Sequence, residues 1–140
     1  MSVTDYYQAY EDAFEQAMVD DDWSRVAQCF AEDAVHESDP VAVGREAVMA
    51  KLIAGVERLD RKMDKRTATF EAAQVDGNRF QNRWTITFEK TGFPDLRLSG
   101  IQILVFKGSL ISRFRGVWDS EAREALISWM AKYGDAALAE

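Results

Sequence analysis

The hydrophobic period of this chain changes near Thr67 from three-and-four to two, and returns to three-and-four after Trp118, so helices come first, strands follow and a helix closes the chain. Before the change, Tyr7, Tyr10, Phe14, Ala17 and Met18 share one helical stripe, and Trp23, Val26, Ala27 and Phe30 share a second. Val48, Met49, Leu52, Ile53, Val56 and Leu59 form the third. Thr4 is the expected cap of the first helix, and Asp22, last of the run Asp20, Asp21, Asp22, that of the second. The stretch AEDAVHESDPVAVG keeps neither period and reads as an ordered loop. After the change, strands are expected over 67–75, 79–89, 96–106 and 110–118. Asp76-Gly77-Asn78 and Lys107-Gly108-Ser109 are the tight turns, where glycine supplies a positive φ. A last helix over 120–133 should end at Gly134. The expected fold is α+β: three N-terminal helices packed on a curved antiparallel four-stranded meander, with an extra C-terminal helix, in a single domain of residues 1–140.

Charge narrows the partners. Lys and Arg number 17 against 24 Asp and Glu, a net charge of −7, and no dense basic cluster offers the counterion release on which nucleic-acid binding depends. Nucleic acid is not expected as a partner. No apolar run approaches the length that spans a bilayer, and the start MSVTDYYQAYEDAF is acidic where a signal peptide is basic and then apolar. A cytoplasmic protein without membrane contact is expected. Cys29, the one cysteine, reads as a small buried thiol. Neither an HxH nor an HExxH pair occurs, and the Asp20–Asp22 run reads as cap and solvated turn, so no metal and no cofactor are expected.

Helices laid over a twisted sheet leave a cone walled by the sheet's inner face. On the third strand Leu96, Leu98, Gly100, Gln102, Leu104 and Phe106 share one face, and Ile101, Ile103 and Val105 stand on the other. Both faces are apolar at mid-strand, so the outer one is expected to be covered by a second copy, giving a homodimer. Phe114, Gly116 and Trp118 should face inward, as should Asn82 and Trp84. Gln102, set among leucines, must find hydrogen-bond partners, from ligand, water or backbone. The sole histidine, His36, lies near Glu37 and Asp39, and a histidine beside a carboxylate can shuttle protons near neutral pH. Extended backbone points His36 and Ser38 one way and Glu37 and Asp39 the other, so a His36 to Asp39 contact requires a bend near Pro40.

The phrases Asp22-Trp23-Ser24-Arg25, Phe30-Ala31-Glu32-Asp33-Ala34 and Gly44-Arg45-Glu46-Ala47-Val48, with a meander ending in Val117-Trp118, resemble the NTF2-like superfamily and, more narrowly, its SnoaL-like proteins, over residues 6–118. The resemblance implies a cone-shaped barrel with a deep apolar pocket, dimerisation through the sheet, and activities from ketosteroid isomerases and polyketide cyclases to dehydratases and noncatalytic binders. In ketosteroid isomerases the base would fall on Ser38 without a gap or on Asp39 with one inserted residue. Their oxyanion tyrosine falls on Phe14 and their protonated aspartic acid on Gln102. Phe14 donates nothing and Gln102 donates less than a carboxylic acid, which disfavours that isomerase reaction. A SnoaL-like cyclase would use His36 or Asp39. The expectation is therefore a small apolar or aromatic ligand held by Phe14, Trp84, Gln102, Phe114 and Trp118. His36 or Asp39 would act in cofactor-free cyclase, isomerase or dehydratase chemistry, and the alternative is a noncatalytic ligand-binding or protein-association module.

Overall fold

The computed structural model describes residues 1–139. Helix α1 (Val3–Asp20) begins earlier than Thr4 would place it, because Ser2 and Asp5 form a reciprocal capping box: the Ser2 hydroxyl accepts from the Asp5 amide and the Asp5 carboxylate from the Ser2 amide. After the short α2 (Ser24–Ala27) the chain enters strand β1 (Phe30–His36), where sequence periodicity reads the end of a helix and a loop. The reason is an irregularity in its pairing between Phe30 and Val35. It buries Phe30 and Ala31 together, exposes Glu32 and Asp33 together, and so erases the alternation that marks a strand. A two-residue strand, β2 (Ala42–Val43), follows, then α3 (Arg45–Arg58) and a 3₁₀ turn (Asp60–Lys62).

The meander is β3 (Lys65–Phe70), β4 (Gln74–Asp76), β5 (Arg79–Glu89), β6 (Leu96–Lys107) and β7 (Leu110–Trp118). The strand expected over 67–75 is divided, because Glu71, Ala72 and Ala73 oppose only Asn82 and Arg83 between the pairs Phe70 to Trp84 and Gln74 to Gln81. Gly77 and Gly108 carry the positive φ expected of them, 60° and 62°. The sheet runs β2-β1-β7-β6-β5-β3, with β4 also on β5. It is curved, unclosed and mixed rather than a four-stranded antiparallel meander, since β1 lies parallel to β7.

Two apolar clusters fill the inner face. One joins Tyr7, Tyr10 and Ala17 of α1 and Val48 and Met49 of α3 to Phe30, Phe80, Leu104, Phe106, Ile111 and Phe114. The other joins Trp84, Phe88, Leu96 and Leu98 to Ala122, Trp129 and Ala137 of the C-terminal segment. That segment comprises α4 (Ser120–Trp129), a π-turn (Met130–Gly134) and α5 (Asp135–Ala137). Gly134 does not end the helix. Its φ is −53°, and it lies buried with Met130 side-chain atoms 3.5 Å from where a Cβ would stand, so close packing rather than a left-handed cap explains it. Among the described residues no helix is long and apolar enough to cross a membrane.

Candidate functional site

Antiparallel register places residues of adjacent strands in rows across the cone. Asn82, Gln102 and Gly116 form one row. Phe80, Leu104, Phe114 and His36 form the row on one side, and Trp84, Gly100 and Trp118 the row on the other. A polar row thus lies between an aromatic and glycine row and an apolar row that ends in His36, and Asn82, Gln102 and His36 are only 5%, 8% and 7% exposed.

Tyr7 reaches this row from α1. Its ring stacks on Phe80 with centroids 4.0 Å apart, and its hydroxyl accepts from Gln102 Nε2 at 2.7 Å and from Asn82 Nδ2 at 3.5 Å. Gln102 therefore has the partner that its burial demands, and the partner is a helix side chain. Asn82 Oδ1 is buried and has no hydrogen-bond partner among the described residues. Burial raises the Tyr7 phenol to about 12, which keeps it a hydrogen-bond donor. The family resemblance sets the isomerases' tyrosine at Phe14, whereas the hydroxyl at this row belongs to Tyr7. Tyr7 lies seven residues earlier on the same helical face, and Phe14 instead packs against Tyr10 and Trp23, with centroids 6.1 and 5.5 Å away. The overlooked signal was a tyrosine on an otherwise apolar helix stripe, since its hydroxyl required a polar partner from the sheet.

His36 stands on the far side of the row, its ring 4.9 Å from that of Phe114. Burial, and then the Lys51 cation, lower its imidazole to about 4, so it is neutral at pH 7. Its Nδ1 is buried and has no hydrogen-bond partner among the described residues. The flanking residues alternate as extended backbone requires. Glu37 turns outward to Arg113 at 3.2 Å, while the Ser38 hydroxyl turns to Gly116, accepting from its amide at 2.8 Å and donating to its carbonyl at 3.0 Å. Asp39 is exposed. Lys51 Nζ donates to the carbonyls of Ser38 and Pro40, and the Asp39 carboxylate acts on Lys51, raising it against the lowering by burial, rather than on the imidazole. His36 and Asp39 are therefore not brought together.

The two glycines of the inner face differ in kind. A Cβ at Gly100 would stand 2.4 Å from the Val117 carbonyl oxygen and 2.9 Å from the Trp84 ring. At Gly116 it would meet only Ser38 Oγ, at 3.7 Å, so the wall between Phe114 and Trp118 is bare there. Trp84 and Trp118 meet edge to face at 5.9 Å. Two open clefts, of about 470 and 330 Å³, lie elsewhere, around Arg58, Arg61, Lys62, Lys90 and Ala139. None of the expected wall residues Trp84, Gln102, Phe114 or Trp118 lines them.

The aspartate run is occupied by its own surroundings: Arg25 reaches Asp20 at 2.5 Å, Arg61 reaches Asp21 at 2.8 Å, and Asp22 accepts from the Ser24 amide at 3.2 Å. Among the described residues no three His, Cys, Asp or Glu side chains group so as to hold a metal ion. Cys29 is half-buried, its thiol raised by burial and directed at the Arg25 carbonyl.

Comparison with known proteins places the chain in a family. Residues 4–114 match the family described as the SnoaL-like domain. No curated protein matches the chain. An NTF2-like protein of unknown function from Exiguobacterium is similar in structure at 12% identity, with a TM-score of 0.65, over 82% of this chain and 98% of its own. A putative polyketide cyclase from Sinorhizobium meliloti is similar at 19% identity and a TM-score of 0.57, over 77% and 93%. A putative hydroxylase from Streptomyces galilaeus is similar at 16% identity and a TM-score of 0.65, over 94% and 98%. At such identities the likeness is one of fold.

Proposed function

The chain belongs to the SnoaL-like domain family, and from that premise we propose that it works in the cytoplasm by binding a small apolar or aromatic molecule bearing one hydroxyl or carbonyl group in its cone. The observation that carries this reading is the buried polar row, with its orphaned Asn82 Oδ1, set between two apolar clusters beside the bare wall of Gly116. A buried acceptor left alone costs about 1–3 kcal/mol, and a ligand hydroxyl would recover that. Phe114, Trp118 and Trp84 supply the apolar sides, Tyr7 and Gln102 the donors, and Asn82 the acceptor.

The test is a titration followed by the indole resonances of Trp84 and Trp118 and the imidazole of His36, using 2-naphthol, an aromatic alcohol, and its apolar parent naphthalene. The expected result is saturable movement of all three groups, tighter for 2-naphthol, and its loss in Gly116→Leu, which fills the wall. Equal binding to Gly116→Leu, or no response to either compound, overturns the reading.

A second reading, cofactor-free acid–base conversion of the bound molecule, is favoured by His36. Its buried, neutral imidazole presents an unpartnered Nδ1 beside Phe114, as a proton acceptor requires. Asp39, exposed and turned to Lys51, has no part in it. If His36→Gln leaves turnover of an identified substrate unchanged, this second reading fails and the noncatalytic module stands. For the outer face, a second copy covering the half-buried Ile101, Ile103 and Val105 is proposed, giving a dimer that Ile103→Glu converts to monomer in sedimentation.

A further inference from the structure

Beyond the polar row, hydrogen bonds and ion pairs run on from Tyr7 toward solvent. Tyr7, Glu11 and Glu15 follow one another at four-residue intervals on α1 and so share one face of the helix. The Tyr7 hydroxyl is directed at Glu11 Oε2, at a long 3.5 Å. Beyond Glu11, the carboxylate of Glu15 accepts from Arg66 Nη1 with both oxygens, at 2.9 and 3.2 Å, and Arg66 Nε lies 2.7 Å from Asp60 Oδ2. Arg66 thus has carboxylates on two sides and serves as the counter-charge of the cluster. Among the described residues no cation pairs directly with Glu11: it lies, half-buried, between a phenol and another carboxylate, and Arg66 acts on it only by its charge. At the inner end of the row, Asn82 holds an unpartnered acceptor while its Nδ2 touches the same Tyr7 hydroxyl. Donor and acceptor stand side by side there, as the recognition of a ligand hydroxyl or enol requires.

We propose that Glu11 is the proton reservoir of the cone, supplying and recovering a proton through the Tyr7 hydroxyl when a ligand oxygen occupies the place beside Asn82. The proposal rests on the ligand-binding reading above and assigns to that site a residue that does not itself touch the ligand. When an enolate or alkoxide oxygen lies against Tyr7, the phenolic O–H bond breaks as the ligand O–H bond forms. The Glu11 carboxyl O–H bond then breaks as the phenol is remade. The resulting carboxylate regains its proton from water by way of Glu15, whose side chain is 43% exposed. The reverse order carries a proton out.

The electrostatics agree with this role. Burial raises the Glu11 carboxyl to about 7, helped by the charge and hydrogen bond of Glu15, while Arg66 and Tyr7 oppose the rise. A lone carboxylate would be ionised at neutral pH and have no proton to give; this one is divided between its two forms. The groups that face it are Tyr7, Tyr10 and Glu15 on its own helix and Arg66 on β3, and Arg66 is paired in turn with Asp60.

The test is a pH titration of protein labelled with ¹³C at the Glu carboxyls and Tyr ring carbons, in the parent and in Glu11→Gln, Glu15→Gln and Tyr7→Phe. In the ligand-free parent, the carboxyl that disappears in Glu11→Gln should titrate near 7, and the Tyr7 Cζ resonance should move through the same midpoint. Glu15→Gln should lower that midpoint by about one unit or more. With 2-naphthol bound, the ligand's own resonances should report the same midpoint, and Tyr7→Phe should abolish it. A Glu11 midpoint in the ordinary carboxylate range overturns the proposal, as does a Tyr7 resonance indifferent to it or a naphthol profile that survives Tyr7→Phe. These readouts also separate the two readings. If 2-naphthol moves no resonance, the ligand-binding reading fails and the ligand-free titration decides Glu11; if it binds without sensing Glu11, binding stands and the reservoir falls. Glu15→Gln keeps the question answerable should Glu11→Gln not fold.

Discussion

Gly100 and Gly116 lie on the same inner face of adjacent strands, yet adding one methyl group should have opposite effects at the two. At Gly100 the new Cβ would lie 2.4 Å from the Val117 carbonyl oxygen, about 1.0 Å inside ordinary contact, and 3.0 Å from the Trp118 Cα. Those atoms are backbone of the neighbouring strand, so relief requires β6 and β7 to part at the Gly100 to Trp118 pair, stretching ladder hydrogen bonds on both sides. The Trp84 ring, 2.9 Å from the same point, would also have to leave its edge contact with Trp118. Overpacking of this kind costs about 3 kcal/mol. At Gly116 the nearest atom to a Cβ is 3.7 Å away and φ is not positive, so Gly116→Ala removes only unfolded-state freedom and stabilises by about 0.5 kcal/mol. Urea unfolding followed by tryptophan emission measures both, given equal m values. If Gly100→Ala and Gly116→Ala fall within about 1 kcal/mol of each other, the steric argument is refuted.

Stability against pH separates two buried groups of opposite sign. His36, lowered from 6.5 to about 4, adds stability that is complete above pH 6.5 and lost as pH falls toward 4. Glu11, raised from 4.5 to about 7, subtracts stability as pH rises from 4.5 toward 7. Their slopes cancel in the overlap. His36→Gln should therefore make stability fall with rising pH between 4.5 and 6.5, by at most about 1.4 kcal/mol per unit relative to the parent, and Glu11→Gln should make it rise; parallel curves for all three proteins would contradict both assignments. Arg66→Met leaves Glu15 and Asp60 without their shared cation; with Arg66 and Asp60 side chains only 13% and 16% exposed, denaturant melts should register a loss of about 3 kcal/mol. Trp129→Ala empties the cluster formed with Leu96 and Leu98 and removes the Nε1 bond to the Pro94 carbonyl at 2.8 Å; calorimetry should show about 4 kcal/mol lost, and a loss under 1 kcal/mol would mean the C-terminal helix is not part of the core.

Much of this architecture is legible in the chain itself. The change of period near Thr67, the glycine turns at Gly77 and Gly108 and the alternation along β5, β6 and β7 determine the helices-then-sheet order and which side chains line the cone. Those signals are local: each depends on residues a few positions apart and on which side of one element is apolar. β1 escaped them because its irregular pairing buries neighbours together, and its parallel partner β7 lies some eighty residues away. Gly134 misled for a related reason, since its lack of a side chain serves packing against Met130 rather than a turn. For the site, the sequence picked out Phe14, Trp84, Gln102, Phe114 and Trp118 as residue types and named His36 or Asp39 for proton transfer, leaving open whether a bend near Pro40 joins the two. Tertiary structure parted them, burying one and exposing the other, and joined Gln102 to Tyr7 across 95 positions. Period and composition determine which face a side chain takes. Which groups on two such faces meet is set by the tilt and depth of α1 over the sheet, and that depends on how whole elements pack rather than on any local pattern.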